Sequence, residues 1–514
     1  MNIRQLLLTS ALAIGSFSVL PAPAMAEGIQ RGGTITIGRP DEPLTLDPFV
    51  PSDNGSIYAI AQICEPLVSA DKPGTGLVPG LAESWATSDD GLTYTFKLRA
   101  DLKFSDGQSV TSADVKFSLS RVMDPAAAYG FAFQPVASVE TPDDQTIKIT
   151  LKQSYTPILS ALSLFSASVV QQAAYEASPE TFGSAPVCTG PFKVESYERG
   201  SQLVLVPNTF YWDKGEDGKP LPYVDKVVLR YMPDSNSRVL SLTNGDIDAA
   251  LALPLNQAAA VQAGDGVSLE VAPSYRLDYV YLNHAKKPLD DKRIRLALNY
   301  ATNHDALMKA VYFGYGSTPN SFMPKVNYWS ENVQQIPYDL AKATEMVKEA
   351  NYDGTLIQLM VDTGNAASRQ AATILQSSWK TIGLNVEIVE FDNGTAFGMT
   401  QSGDFQAYVS YITSDINDSD ELATLQADGT GSTRSFFSNY NNPDVTKLLA
   451  DARSEPDSAK RAALYENIQG IVYGDGYSVP LNFLPYVNGY NDNLKNWTTI
   501  TVGWWWLKDM WVAR

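Results

Sequence analysis

An α/β fold split into two or three domains is predicted for this 514-residue chain on three grounds. Short alternating stretches that read as strands are interleaved with stretches whose apolar residues recur at helical spacing, the pattern of sheets covered by helices. The chain exceeds the roughly 250–300 residues at which a single core stops growing. No repeat, low-complexity tract or long linker interrupts it, so short segments must join the domains.

The first 26 residues stand apart from the fold. Arg4 precedes an apolar run from Leu6 to Leu20, and Ala24-Met25-Ala26 follows as a small-x-small site. This is the pattern of a secretory signal peptide cut before Glu27. The run is short for a bilayer span, and no Cys ends it for lipid attachment. The mature chain is expected to be soluble and outside the cytoplasm.

Thr34–Gly38 reads as a first short strand. In Ser88–Leu119, Thr93, Thr95 and Lys97 alternate with Tyr94, Phe96 and Leu98, a half-buried strand between the turn residues Asp89-Asp90-Gly91 and Ser105-Asp106-Gly107. Thr111-Ser112-Ala113-Asp114 then resembles a capping box, with Val115, Leu119 and Val122 at helical spacing behind it. Asp225–Tyr231 is a strand and Ser235–Thr243 a helix. Ala341–Asn351 and Ala366–Ile382 are helices, and Leu384–Phe391 alternates as a strand.

The formal net charge is −19, which excludes a nucleic-acid partner because binding to phosphates needs a basic face. The two cysteines, Cys64 and Cys188, stand in similar settings, an apolar run followed by a Pro-containing turn. In an exported chain they read either as one disulfide or as two buried thiols. Only two histidines, His284 and His304, are present, and no G-x-S-x-G turn occurs. Two His and two Cys make a poor metal site, and no cofactor motif is found. Carboxylate pairs are so common in this acidic chain that their count alone leaves glycoside hydrolysis open.

A series of short motifs carries a resemblance. Glu65-Pro66-Leu67-Val68, Val78–Trp85 (VPGLAESW), Gly91–Arg99 (GLTYTFKLR), Phe104-Ser105-Asp106-Gly107 and Thr189-Gly190-Pro191-Phe192 occur in this order. Asn208–Trp212 (NTFYW), Asn244–Asp248 (NGDID), Lys287–Arg293 (KPLDDKR) and Tyr338–Ala343 (YDLAKA) follow. Together they resemble the solute-binding proteins of the peptide/nickel class of ABC importers, over almost all of the mature chain.

The resemblance implies a periplasmic-binding-protein type II-like architecture of two lobes and an inserted domain. Domain I would comprise 27–70, 181–284 and 487–514, domain II 71–180, and domain III 285–486, with hinges near 281–288 and 485–490. It implies a periplasmic, monomeric, non-enzymatic protein that captures a small solute, by default an oligopeptide, and delivers it to the transmembrane subunits of an ABC permease. An opine-like or sugar-containing conjugate is the runner-up solute. A secreted peptide or glycoside hydrolase is the reading from another class.

The resemblance also suggests site residues. Tyr408–Asp420 (YVSYITSDINDSD) is similar to a family segment in which a strand ending in an aromatic-x-x-Asp sequence places an Asp in the cleft, where it pairs with a ligand ammonium. Asp415 is the best match and Asp418 the next, while an ungapped count from Tyr411 puts Ser414 at that position. The alternative is that these aspartates cap a helix starting near Ser419. Arg369 is the candidate carboxylate clamp, although Asp362–Ser368 (DTGNAAS) is without a basic residue where dipeptide carriers have an Arg. Arg276 and Tyr279 lie in Ser274–Asn283 (SYRLDYVYLN), which resembles the strand that runs toward the cleft. Trp504-Trp505-Trp506 could stack on a ligand, with at least two of the three expected to be buried.

Overall fold

The computed structural model describes residues 28–124, 127–430 and 438–513. The signal peptide expected at 1–26 lies outside the described residues. A seven-stranded sheet runs, edge to edge, through Val267–Ala272, Tyr486–Asn491, Ala249–Ala250, Thr34–Arg39, Lys226–Tyr231, Gln202–Pro207 and Phe192–Glu198. Three separate stretches of chain therefore build it. Thr34–Arg39 lies parallel to both of its neighbours, and the other pairings are antiparallel.

A four-stranded antiparallel sheet, Ala82–Thr87, Thr93–Leu98, Thr146–Leu151 and Val136–Asp143, forms the middle of the second region. Tyr94, Phe96 and Leu98 turn inward, as their alternation requires, and meet Ile147 and Ile149. The helix Ser112–Val122 begins where the capping-box pattern places it, with Asp114 accepting from the Thr111 N–H at 3.0 Å. This region has no core of its own. Its apolar residues merge with Ile35, Ile37 and the helix Asn54–Ile63 into one cluster, so the first two domains pack as one lobe.

The five-stranded sheet of the other lobe runs Val386–Phe391, Ile357–Asp362, Ala407–Thr413, Arg276–Leu282, Ser478–Asn482. Helices Lys292–Tyr300, Leu340–Glu349 and Ala366–Thr381 cover one face, where Val280, Leu282, Ala407 and Val409 are buried. Ser419–Ala427, Pro443–Ser454 and Ser458–Gly474 cover the other, where Leu277, Tyr279, Tyr281 and Tyr408 are buried.

This sheet corrects the expected boundary at 284. Arg276–Leu282 pairs along its length with Ala407–Thr413 and also with Ser478–Asn482. The chain thus leaves the first sheet at Ala272 and has entered the second by Arg276. It returns between Asn482 and Tyr486. The crossings are 273–275 and 483–485, so the hinge expected near 281–288 lies at the far end of Arg276–Leu282, on the second lobe's side and past the crossing. Periodicity marks Arg276–Leu282 as a strand but says nothing of which sheet receives it.

Cys64 and Cys188 are joined, with Cα atoms 4.9 Å apart. The bond ties the end of Asn54–Ile63 to the Thr189–Phe192 turn. A Cβ at Gly190 would come within 2.5 Å of the Ile63 backbone, so only glycine fits this close approach. Among the described residues no helix is long and apolar enough to cross a membrane.

Candidate functional site

The register of two strands builds the site. Arg276 pairs with Thr413 and Asp278 with Tyr411, at the strand ends that face the first lobe. The chain continues straight from Thr413, with the Ser414 N–H donating to the Tyr275 carbonyl at 3.0 Å, then turns through 415–418 into the helix Ser419–Ala427. Residues 414–417 enter the first lobe. Ile416 joins its apolar cluster, the Asn417 amide donates to the Thr75 carbonyl at 2.7 Å, and Asn54 meets Thr413 at 3.4 Å.

Asp415 stands at this seam. It accepts a short hydrogen bond from the Tyr129 hydroxyl of the inserted region. Behind it the buried Glu421 accepts from the Ser414 hydroxyl at 2.6 Å and from the Asp415 and Ile416 N–H groups at 3.1 and 3.3 Å. Among the described residues neither carboxylate has an ion-pair partner. Burial pushes the Asp415 carboxyl up to about 6, against the pull of the Tyr129 hydrogen bond. Burial, and then the charge of Asp415, push Glu421 well above the usual carboxylate range.

Beside Asp415 opens a cavity of about 970 Å³ of empty space, its mouth included. Trp504, Trp506, Phe165 and Tyr211 provide its aromatic walls, and Ser160, Ser163 and Ser168 its hydroxyls. The Ser168 hydroxyl is buried without a hydrogen-bond partner among the described residues. The tryptophan run differs from expectation. Trp505 alone is fully buried, stacked near Trp497, while Trp504 and Trp506 are half-buried and line the cavity. Gly503, at φ +101°, brings the backbone against the Tyr58 and Tyr486 hydroxyls, where a side chain would not fit.

The other sequence candidates separate. Tyr411 is half-buried at the seam, with the Arg276 guanidinium stacked 4.0 Å from its ring centre. Arg276 also pairs with Asp278 at 2.7 Å, and Asp278 and Tyr411 hold its proton more tightly than the cost of burial loosens it. Asp418 is not at the cleft. It is buried, caps the helix through the Asp420 N–H at 2.9 Å and receives both Arg461 terminal nitrogens at 2.8 Å.

Tyr279 is fully buried in the core of the second lobe, because it shares a strand face with Leu277 and Tyr281. Arg369 is half-buried and engaged elsewhere, paired with Glu390 at 2.7 Å and donating to the Thr363 carbonyl at 3.2 Å. Sequence reading missed Tyr129 and Glu421. Tyr129 sits in a stretch without a motif. Glu421 carried one signal, its place in the first turn of a helix after an Asp-rich loop. Among the described residues no group of His, Cys, Asp and Glu is arranged to hold a metal.

Two lobes bridged by short crossings, with an uncompensated carboxylate pair where they meet, define a solute-binding protein. Residues 76–434 match the model of the bacterial extracellular solute-binding proteins, family 5 (middle region), and the chain belongs to that family. Its members serve ABC importers as their periplasmic solute-binding component, and that is the role of this chain. The family and the relatives below are binding proteins and not enzymes.

The glutathione-binding protein GsiB of Escherichia coli K12 is 30% identical over 461 residues, 88% of this chain and 89% of the relative. The binding protein DppA of Helicobacter pylori, solved with the peptide STSA, superposes with a TM-score of 0.87 at 26% identity, covering 94% of this chain and 99% of that one. AgaA of A. tumefaciens R10, solved with agropinic acid, gives 0.85 at 25% identity with the same coverage.

Proposed function

We propose that the chain is exported to the periplasm, acts as a monomer, and closes its two lobes over a peptide-like solute whose ammonium group pairs with Asp415. The observation that carries this is the Asp415–Glu421 pair, two carboxylates at the seam without a cation from the protein. A buried carboxylate without a countercharge is costly, and a ligand ammonium would offset that cost with charge-assisted hydrogen bonds. The peptide and glutathione named for two relatives carry such an ammonium. Arg276, stacked on Tyr411 and held by Asp278, forms a fixed polar wall on the same side.

A second reading, a sugar-containing conjugate, is favoured by the cavity itself, where hydroxyls and indole faces lie together as sugar recognition requires, and by agropinic acid in AgaA. Mass spectrometry of the solute released on denaturing protein taken from its own periplasm decides between them. An amine-free solute would refute the assignment of Asp415.

A further inference from the structure

Among the described residues four arginines are buried, and three of them are saturated. Arg238 donates to the carbonyls of Leu251, Met232, Pro233 and Ala252. Arg295 donates to Gly476, Leu289, Asp290 and Asp475, and Arg461 takes both oxygens of Asp418. Arg39 is the exception. It is 3% exposed, yet its one hydrogen bond is a long contact from Nη2 to the Asn54 carbonyl at 3.5 Å, and Nε and Nη1 have no acceptor.

Asp41 and Asp53 lie close enough for their fields to reach Arg39, but neither forms an ion pair with it. Asp53 uses Oδ1 to cap the helix through the Ser56 N–H at 2.8 Å, and its Oδ2 is buried without a partner. A buried guanidinium with open donors is expensive unless an anion completes it.

Its place in the fold indicates where that anion comes from. Arg39 ends the strand Thr34–Arg39 and projects from the face that the helix Asn54–Ile63 covers, beside the positive N-terminal end of that helix. Asn54, whose carbonyl Arg39 touches, also meets Thr413 of the opposite lobe. Tyr58, one turn further along, lies within electrostatic reach of both Arg39 and Asp415. Arg39 therefore occupies the first lobe's side of the seam that Asp415 occupies from the second.

We propose that Arg39 is the anion-binding residue of the solute site: the solute carries a free carboxylate that pairs with Arg39 on one lobe while its ammonium pairs with Asp415 on the other. This rests on the reading of Asp415 above. The orphan oxygen of Asp53 beside Arg39 fits an N–H next to that carboxylate, the arrangement at the C-terminal end of a peptide. A planar guanidinium with two free donors suits a carboxylate's two oxygens, and a solute spanning both lobes holds them closed.

The test uses two tripeptide pools of identical sequences, one with free C-terminal carboxyl groups and one with C-terminal amides, titrated calorimetrically into the full protein. Wild type is expected to bind the free acids about tenfold or more tightly than the amides, the effect of losing one charge-assisted contact. In Arg39→Gln and Arg39→Met that preference disappears. Solute-free Arg39→Met is expected to melt no lower than wild type, since an unpaired buried cation has been removed, whereas a merely structural arginine would lower the melting temperature.

Equal binding of the two pools by wild type, no binding of the free acids, a preference that survives in both variants, or a lower melting temperature for Arg39→Met would each overturn the proposal. Asp415→Asn separates the two assignments. If it weakens both pools while the Arg39 variants change nothing, only the Arg39 assignment fails. If it weakens neither, the two-point clamp fails with the ammonium anchor.

Discussion

Two acidic clusters flank the helix Ser419–Ala427, and they are built in opposite ways. On the side that packs against Pro443–Ser454 and Ser458–Gly474, Asp418, Asp420 and Asp428 are matched by two arginines. Arg461 takes both oxygens of Asp418, while Arg453 reaches Asp420 at 3.0 Å and Asp428 at 2.9 Å. Tyr465, and Tyr155 from the first lobe, add hydroxyl donors to Asp420. At the turn 415–418, by contrast, Asp415 and Glu421 receive only neutral donors, from Tyr129, Ser414 and two backbone N–H groups. Asp415 is half-buried at the seam and the other four carboxylates are buried, so burial alone does not account for the difference. Charge matching does. A compensated cluster can only hold the fold, whereas an uncompensated one leaves a cation for something else to supply.

The largest effect should come from breaking the matched cluster. Arg461→Met leaves Asp418 buried and unpaired, and is expected to cost about 3–5 kcal/mol of folding stability, read from urea unfolding. A loss under about 1 kcal/mol would mean that Asp418 finds water and that the cluster is less desolvated than it looks.

Asp415→Asn should do the reverse, leaving stability intact while weakening the native solute about ten- to a hundredfold, the worth of one hydrogen bond to a charged group. Unchanged affinity in a titration of this variant would erase the distinction between the clusters.

The pH dependence sharpens it further. The Asp415 value of about 6 lies above that of an unfolded Asp, near 3.9. The folded, solute-free protein therefore holds an extra proton between about pH 4 and 6, and this group's contribution to stability falls as pH rises through that window. Capture of a cation needs the carboxylate, so affinity should rise with pH and level off above about 6, with up to a tenfold loss for each unit below. Asp415→Asn should flatten that profile. A wild-type profile already flat from pH 5 to 7 would show that no ionisation at the seam is linked to binding.

Tyr129→Phe removes a neutral donor, and a several-fold weakening is expected, about 1 kcal/mol. The smallest effect belongs to Arg369→Ala. With its guanidinium in water beside Glu390, both affinity and melting temperature should stay as in wild type, and a measurable loss of affinity would return Arg369 to the site.

The local elements were legible because their causes are local. Thr111 with Asp114, the alternation through Thr93–Leu98, and the apolar spacing of Ala366–Thr381 each act within one or two turns of chain. Ser235–Thr243 appears with the bounds its periodicity predicts. The ordered motifs carried the family, and so the lobed architecture, because close approaches such as Gly190 against Ile63 restrict which residues fit. The cleft was only half legible. Asp415 and Asp418 are the same residue type in one polar turn, and no local property says which faces a second lobe and which faces Arg461, 43 positions away.

Sequence alone determined that this chain is acidic and α/β, since composition and periodicity follow from neighbours along the chain, and its ordered motifs carried the resemblance to a solute-binding family. Only the tertiary structure decided that Arg276–Leu282 belongs to the second sheet, that Tyr279 is core, that Trp504 and Trp506 line the cavity, and that Asp415 stands without a countercharge. These depend on desolvation and on charges brought together from distant positions, and the free energy of a buried charge is set by what surrounds it in space, which the order of residues along the chain does not state.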